Sequence, residues 1–235
     1  MGYISSFRQR RWIEELMDDP DGDVERLHRT LRQFRFINRV FSRVRGPLSR
    51  LVLDDMRPGR QYTLLDVGAG DGDIARWLVR SARRRGLLLH VTCCDADARV
   101  ASWCQEQCAD AADIRVLHAR HDELSERFDY VFSNHVLHHL TDEQACEFLG
   151  HMSSITRRRV IINDLERSAL SHAAFAAFAT LAFHRSFARE DGLRSLRRSY
   201  RRSELQSLLA DIDWEARATI RPRFPAHMLL IGEFS

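Results

Sequence analysis

The feature that most constrains this fold is an apolar run that leads directly into closely spaced glycines. Residues 64–75 read LLDVGAGDGDIA, with Gly68, Gly70 and Gly72 at every second position. An apolar strand, a glycine-rich turn and a helix in succession are typical of the first unit of an open α/β sheet. Because such sheets bind ligands at the carboxyl ends of their strands, the turn is the predicted binding loop.

The acids around these glycines argue against a phosphate ligand. Asp66, Asp71 and Asp73 would repel one, and Asp73 stands where the dinucleotide fingerprint G-x-G-x-x-G needs a small residue. Backbone N–H groups and nearby carboxylates suit an amino acid instead, with its carboxylate and ammonium ends. Asp95 ends the next predicted strand, where a carboxylate can accept hydrogen bonds from both ribose hydroxyls.

The rest of the chain predicts alternating strands and helices after a helical start. Strands are expected at 62–67, 87–95, 114–119, 128–134, 159–165, 214–222 and 226–234, and helices at 24–44, 47–56, 73–84, 99–109, 142–155, 169–183 and 201–212. This alternation favours a mostly parallel sheet with helices on both faces. The Arg57-Pro58-Gly59 turn marks the clearest boundary in the chain.

Composition sets limits on partners and compartment. The 235 residues carry a net charge of only +3, so scattered arginine runs are interpreted as solvated faces rather than a nucleic-acid surface. The odd count of five cysteines predicts reduced thiols and a cytoplasmic location. No apolar run reaches the ~18 residues of a membrane span, and no metal-ligand set is predicted. The oligomeric state stays open.

The motifs resemble those of class I S-adenosylmethionine-dependent methyltransferases. The resemblance is carried by Asp66-x-Gly68-x-Gly70-x-Gly72, by Asp95 as the ribose acid, and by RFDYVFSNHVLHHL at residues 127–140. It covers residues 60–165 well. It implies a Rossmann-like seven-stranded sheet with the last strand antiparallel, S-adenosylmethionine as methyl donor and S-adenosylhomocysteine as product.

The resemblance also implies a cofactor site and two accessory regions. The implied cofactor-binding residues are Asp66, Gly68, Ala69, Gly70, Asp95, Ala96, Arg120, His121, Asn134 and His135. The family usually has an acid beside the adenine after the third strand, and here the loop reads ARHDEL, so either Asp122 takes that role or His121 packs on the adenine. Residues 1–59 are expected to form a helical cap on the cofactor-binding catalytic domain, 60–235. Residues 168–200 are expected to be an inserted lid.

Three histidines follow the fourth predicted strand, beside the expected methyl donor. Histidine is the natural base for a hydroxyl acceptor because its pKa lies near neutrality. Small-molecule O-methyltransferases use a His-His pair here and an acid after the fifth strand, which the resemblance transfers to His138, His139 and Asp164. His139 is the favoured base, with Asp164 holding its tautomer, and His138 is the rival.

The predicted reaction is O-methylation of a phenol or enol hydroxyl on a lipophilic metabolite, of the natural-product or quinone type. Phe175, Phe178 and Phe183 in the apolar stretch favour a lid over such an acceptor, although a plain core helix would give the same pattern. Three alternatives stay open at this point: C-methylation of an activated ring, an RNA-binding methyltransferase, and a non-catalytic protein with the same fold.

Overall fold

A computed structural model describes residues 7, 9–37, 42–182 and 187–234. Of the sequence predictions, the part of the first helix at 38–41 and the lid residue Phe183 lie outside this described range.

Seven strands form one twisted sheet. They are β1 (Gln61–Val67), β2 (Leu88–Asp95), β3 (Ile114–His118), β4 (Phe128–Asn134), β5 (Thr156–Leu165), β6 (Ala218–Arg223) and β7 (His227–Glu233). Their order is β3-β2-β1-β4-β5-β7-β6. β7 runs in the direction opposite to the other six strands, so it pairs antiparallel with both β5 and β6. The predicted fold is confirmed, including the antiparallel last strand. The order reverses between β1 and β4, which opens a crevice at the carboxyl ends of the strands.

Helices cover both faces because the central strands bury side chains in both directions. Tyr130, Val131 and Phe132 of β4 are all fully buried. The principal helices are α1 (Val24–Ile37), α2 (Arg45–Leu48), α3 (Asp73–Arg84), α4 (Ala98–Cys108), α5 (Asp142–Ser154), α6 (Ala169–Ala182), α7 (Ala188–Arg198) and α8 (Arg202–Asp211). One face packs against α3, α4 and a helical segment at 44–56, and the other against α5 and α8.

A roof of helices closes the crevice at the carboxyl edge of the sheet. Leu27 and Leu31 of α1 pack with Val100 of α4 and with Phe187. The phenylalanines of α6 pack beside Ala179 and Ala188, at the contact between α6 and α7. The region predicted to be a lid contains two helices that contact each other, α6 and α7. None of the helices in the described part of the chain has the length and apolarity that a bilayer-spanning helix requires.

Candidate active site

A cavity of about 640 Å³ lies between the carboxyl edge of the sheet and the helical roof. Its floor is formed by the loops that follow β1, β2, β3 and β4. Its upper wall comes from the N-terminal segment around Glu15, from α1 and from the α6–α7 pair. All ten residues that the sequence implied for cofactor binding line this one cavity, and so do His138 and His139; Asp164 lies directly behind His138.

The glycine loop is held open by backbone hydrogen bonds to β2. The Gly68 N–H donates to the carbonyl of Cys94 at 2.8 Å, and the Gly70 N–H approaches a carboxylate oxygen of Asp95 at 3.4 Å. Gly68 has φ +68°, and a Cβ there would lie 2.3 Å from the Val136 side chain. Only glycine meets both constraints, so the loop keeps its backbone exposed to the cavity.

Burial controls the charge of the two acids beside this loop. Burial, reinforced by the neighbouring charges of Asp73, Cys108 and Asp95, raises the pKa of Asp66 well above its usual range. Burial also raises the pKa of Asp95, to about 6, against backbone N–H donors that favour its charged form. Asp95 is therefore ionised at neutral pH and can accept hydrogen bonds.

In the loop after β3, Asp122 and His121 each contact another side chain of the protein. The Arg120 guanidinium grips the Asp122 carboxylate with hydrogen bonds of 3.0 and 2.9 Å, and this ion pair lowers the pKa of Asp122 to about 2. The His121 ring packs edge-on against Phe148, with 4.9 Å between ring centroids. Arg120, His121 and Asp122 all line the cavity, so the loop after β3 forms part of its wall.

A histidine that follows β4 pairs with a histidine at the start of β7, and both are neutral. His135 has φ +61°, an uncommon backbone conformation for a residue with a side chain, and its N–H donates to the carbonyl of Asn163. Its Nε2 lies 3.0 Å from Nε2 of His227, which sits at the start of β7. Burial lowers the pKa of His135 to about 4 and that of His227 to about 3. One ring therefore donates to the other, and neither is charged at neutral pH.

His138 is clamped between two buried carboxylates. Its Nδ1 lies 2.6 Å from Asp164 Oδ1, its backbone N–H donates to Asp164 Oδ2, and its Nε2 lies 3.4 Å from Glu15 Oε1. Burial alone would lower the pKa of His138, but the two carboxylates outweigh burial and raise it to about 9. The same contacts lower the pKa of Asp164 to about 2, against the effect of burial. His138 is thus an imidazolium at neutral pH with both nitrogens engaged.

His139 occupies a more open position on the cavity wall. Its ring is 27% exposed, its Nδ1 lies 3.2 Å from Asp18 Oδ2, and its Nε2 lies 3.7 Å from Glu15 Oε1. The predicted pairing of Asp164 with His139 is wrong: Asp164 contacts His138, and His139 is oriented by Asp18. The rings of these consecutive residues lie 4.4 Å apart and both turn Nε2 toward Glu15, but their Nδ1 atoms meet different carboxylates.

Glu15 and Asp18 are site residues that sequence reasoning missed. Glu15 is 4% exposed and accepts a hydrogen bond from the Ser195 hydroxyl at 2.7 Å. Burial would raise the pKa of Glu15, but His139, His138 and Ser195 lower it to about 2. Both acids lie in an acid-rich stretch, EELMDDPDGD, that shows no periodic pattern, so the sequence offered no signal that distinguishes them from surface acids.

Part of the cavity wall is apolar. Leu31 and Phe34 of α1 face the cavity together with Phe175 and Phe178 of α6 and Leu196 of α7. The structure thus places both described lid phenylalanines, Phe175 and Phe178, at the cavity, and joins them with the N-terminal helix as the sequence led us to expect. The site combines a glycine loop and an acid, Asp95, with a histidine–carboxylate cluster and an aromatic wall.

Known proteins show what this arrangement is similar to. Residues 64–159 match the family described as "Methyltransferase domain". This part of the chain is therefore similar to a methyltransferase domain. The magnesium protoporphyrin IX methyltransferase of Synechocystis PCC 6803, solved with bound S-adenosylmethionine, aligns over 92% of this chain and 88% of its own, with a TM-score of 0.55 and 18% identity.

Other relatives of the methyltransferase domain differ in the acceptor that their names imply. The plantazolicin methyltransferase BpumL, solved with a pentazolic analogue and S-adenosylhomocysteine, aligns over 88% of this chain and 91% of its own, with a TM-score of 0.65 and 12% identity. A ubiquinone biosynthesis O-methyltransferase of Paramagnetospirillum magneticum (strain ATCC 700264 / AMB-1) is 34% identical over 137 residues, or 58% of this chain. The chain spans about half, 51%, of the length of that relative.

Proposed function

We propose that this protein is an S-adenosylmethionine-dependent O-methyltransferase that acts on a hydroxyl group of a largely apolar small molecule. The observation that carries the proposal is the histidine–carboxylate cluster of Glu15, Asp18, His138, His139 and Asp164, which meets an aromatic wall in the same cavity. An apolar cavity with a few convergent polar groups is the usual form of a small-molecule site.

The residues around the glycine loop fit the cofactor. The glycine loop at residues 68–70 lets a ligand approach the backbone closely, and the ionised Asp95 suits two ribose hydroxyls. The ring of His121 and the carboxylate of Asp122 lie at the end of the cavity that an adenine would occupy. S-adenosylmethionine supplies an electrophilic methyl group on a sulfonium, which is a good leaving group, so the protein has to orient the acceptor, exclude water and accept a proton.

We assign proton acceptance to His139. Asp18 accepts from the Nδ1–H of this ring, which leaves the lone pair on Nε2, the nitrogen that faces Glu15 and the cavity cluster. His138 is charged and has both nitrogens engaged, so it cannot take the proton at neutral pH. Its role is to position Glu15 and the turn that carries His139, and Asp164 stabilises its charge.

The N-terminal segment and the α6–α7 pair serve as the acceptor chamber. The apolar surface of the chamber is formed by Phe34, Phe175 and Phe178. Glu15 lines the polar part of the same chamber. In this proposal the chamber is built from the predicted cap, 1–59, and the predicted lid, 168–200. Residues 44–56 of the cap also pack into the core on one face of the sheet. The name of the Paramagnetospirillum relative, a ubiquinone biosynthesis O-methyltransferase, supports a hydroxylated, lipophilic ring as acceptor.

The test is methyl transfer from labelled S-adenosylmethionine to a panel of phenols, enols and long-chain alcohols. Product NMR distinguishes an O-methyl from a C-methyl group. His139→Ala should lower kcat by ~10²- to 10⁴-fold, the usual contribution of general-base catalysis, with S-adenosylhomocysteine affinity unchanged. His90→Ala, which removes an exposed histidine beside Asp113, is the matched control. Carbon methylation, or full kcat in His139→Ala between about pH 6 and 9, would contradict the proposal.

A further inference from the structure

One carboxylate and two imidazoles, side chains that commonly coordinate metal ions, meet on the cavity wall. They belong to Glu15, His138 and His139. We propose that these three side chains bind one divalent first-row transition-metal ion, with an open coordination position toward the cavity. The inference goes beyond the proposed methyl transfer and does not depend on it.

The spacing of the ligand atoms fits a metal site. Nε2 of His138 lies 3.4 Å and Nε2 of His139 3.7 Å from the same oxygen, Oε1 of Glu15, and all three atoms lie within 4.8 Å of one another. Metal–ligand bonds of ~2.1 Å at tetrahedral angles place two ligand atoms ~3.4 Å apart. A small inward movement of these side chains therefore encloses an ion without a change in the backbone.

The surrounding hydrogen bonds are those of a metal-binding histidine pair. A ligating histidine usually donates its other ring N–H to a carboxylate, which fixes the tautomer and turns the lone pair toward the ion. His138 has Asp164 on its Nδ1 at 2.6 Å, and His139 has Asp18 on its Nδ1 at 3.2 Å. Both rings thus present Nε2 toward Glu15, and the Ser195 hydroxyl hydrogen-bonds the Glu15 carboxylate.

The charge of the cluster also suits a dication. The cluster has three carboxylates, those of Glu15, Asp18 and Asp164, and one buried guanidinium. The latter is that of Arg198, whose Nη1 lies 3.8 Å from Glu15 Oε1 and 3.5 Å from Asp18 Oδ2. Binding of the ion displaces the proton from Nε2 of His138 to solvent. With both histidines then neutral, these groups carry a net charge of −2, which a divalent ion balances. Two imidazoles and one carboxylate favour Fe²⁺, Co²⁺ or Zn²⁺ over Mg²⁺ or Ca²⁺, which prefer oxygen ligands.

A bound ion and a proton compete for the same imidazole lone pairs. While a metal ion is bound to Nε2 of His139, that nitrogen cannot accept a proton from the methyl acceptor. For this reason the metal has to be tested by a signal other than methyl transfer.

The experiment is a titration of the full chain, first stripped with a chelator, with Co²⁺. We expect one Co²⁺ per chain and the intense visible d–d absorption of a four- or five-coordinate ion, which Zn²⁺ then displaces. Glu15→Gln and His139→Asn should each abolish that absorption. Asp18→Asn, which keeps all three ligands, should weaken binding by about 10- to 100-fold, as is usual for a carboxylate that orients a ligand.

The controls separate a site from adventitious binding and from misfolding. His90→Ala removes a histidine near a carboxylate outside the cluster and should leave the titration unchanged. Retained S-adenosylhomocysteine binding shows that each variant is folded, and His139, the most exposed of the three ligands, is the safest to replace. Absence of stoichiometric Co²⁺ binding by the unmodified chain, or the same spectrum in His139→Asn and Glu15→Gln, overturns the proposal.

Discussion

Asp95 is the residue whose ionisation should control cofactor affinity. Its pKa is raised to about 6 by burial, so lowering the pH through 6 protonates it. A protonated carboxyl loses its capacity to accept from both ribose hydroxyls, so S-adenosylhomocysteine should bind more weakly in acid. If only the ionised form binds, the dissociation constant rises by up to about tenfold between pH 7 and 5. Calorimetry at the two pH values measures this.

The variant Asp95→Asn provides the control for that pH dependence. It cannot ionise, so its affinity should be lower than that of the unmodified chain at pH 7 and should change much less between pH 7 and 5. The loss at pH 7 is expected to be ~1–3 kcal/mol, the scale of hydrogen bonds to a charged group. An unmodified protein whose affinity stays flat through pH 6 would show that Asp95 does not contact the cofactor.

The sequence predicted some of the residues that line the cavity and missed others. Asp95 and the glycines follow strands, and a parallel sheet brings all strand ends to one edge, so their proximity could be derived from topology. The partner of Asp164 could not, because His138 and His139 are adjacent and a single short helical turn decides which ring meets which carboxylate. Glu15 reaches the site only through tertiary packing of an aperiodic segment.

The close packing of helices α6 and α7 requires a glycine at position 192. A Cβ at Gly192 of α7 would lie 2.3 Å from Cζ of Phe175, which is also a cavity residue. Gly192→Ala should therefore push the Phe175 ring away from α7. We expect a loss of ~1–3 kcal/mol in the free energy of unfolding, as for other overpacked sites, and a change in acceptor KM with unchanged cofactor affinity. Denaturant unfolding and steady-state kinetics measure the two effects.

A second helical glycine gives the matched control. A Cβ at Gly150 of α5 meets nothing within 4 Å, so Gly150→Ala should gain helix propensity at no steric cost. It should stabilise the fold by up to ~1 kcal/mol without affecting kinetics. If the two alanine variants behave alike, the Phe175 contact does not shape the acceptor chamber.

The elements themselves were mostly predictable, and the exceptions have physical causes. The strands and helices between 61 and 165 follow apolar periodicity and clear turn signals, and the structure places them within a few residues of the predicted bounds. The helix α7 was not separated from the rest of the lid because its sequence, AREDGLRSLRR, is dominated by charge. Its burial comes from specific contacts, such as Asp191 accepting from the N–H groups of Leu16 and Met17, that leave no periodic apolar signal.

At the scale of the whole molecule, the N-terminal segment is a strap across the completed fold. Arg10 donates to the carbonyls of Arg198 and Leu140 and pairs with Asp142, and its guanidinium lies 3.6 Å from the centre of the Tyr200 ring. Further along, the Arg99 guanidinium donates to the carbonyls of Asp19 and Pro20. These contacts tie the segment to both the cofactor side and the acceptor side of the cavity. The sheet and its two cores do not include it.

Removal of residues 1–22 should therefore separate cofactor binding from catalysis. The truncation keeps Asp23, whose carboxylate accepts the Arg26 N–H at the start of α1, so that helix retains its N-terminal hydrogen bond. It deletes Glu15 and Asp18, which frees one nitrogen of His138, removes the orienting acid of His139 and opens the chamber to water. We expect S-adenosylhomocysteine to bind within a few-fold of its original affinity, because the glycine loop and Asp95 are untouched, while methyl transfer falls to background. Calorimetry and the labelled-methyl assay on one preparation provide both values. A truncated chain that methylates as fast as the full one would show that the strap is only structural and that the catalytic cluster lies elsewhere.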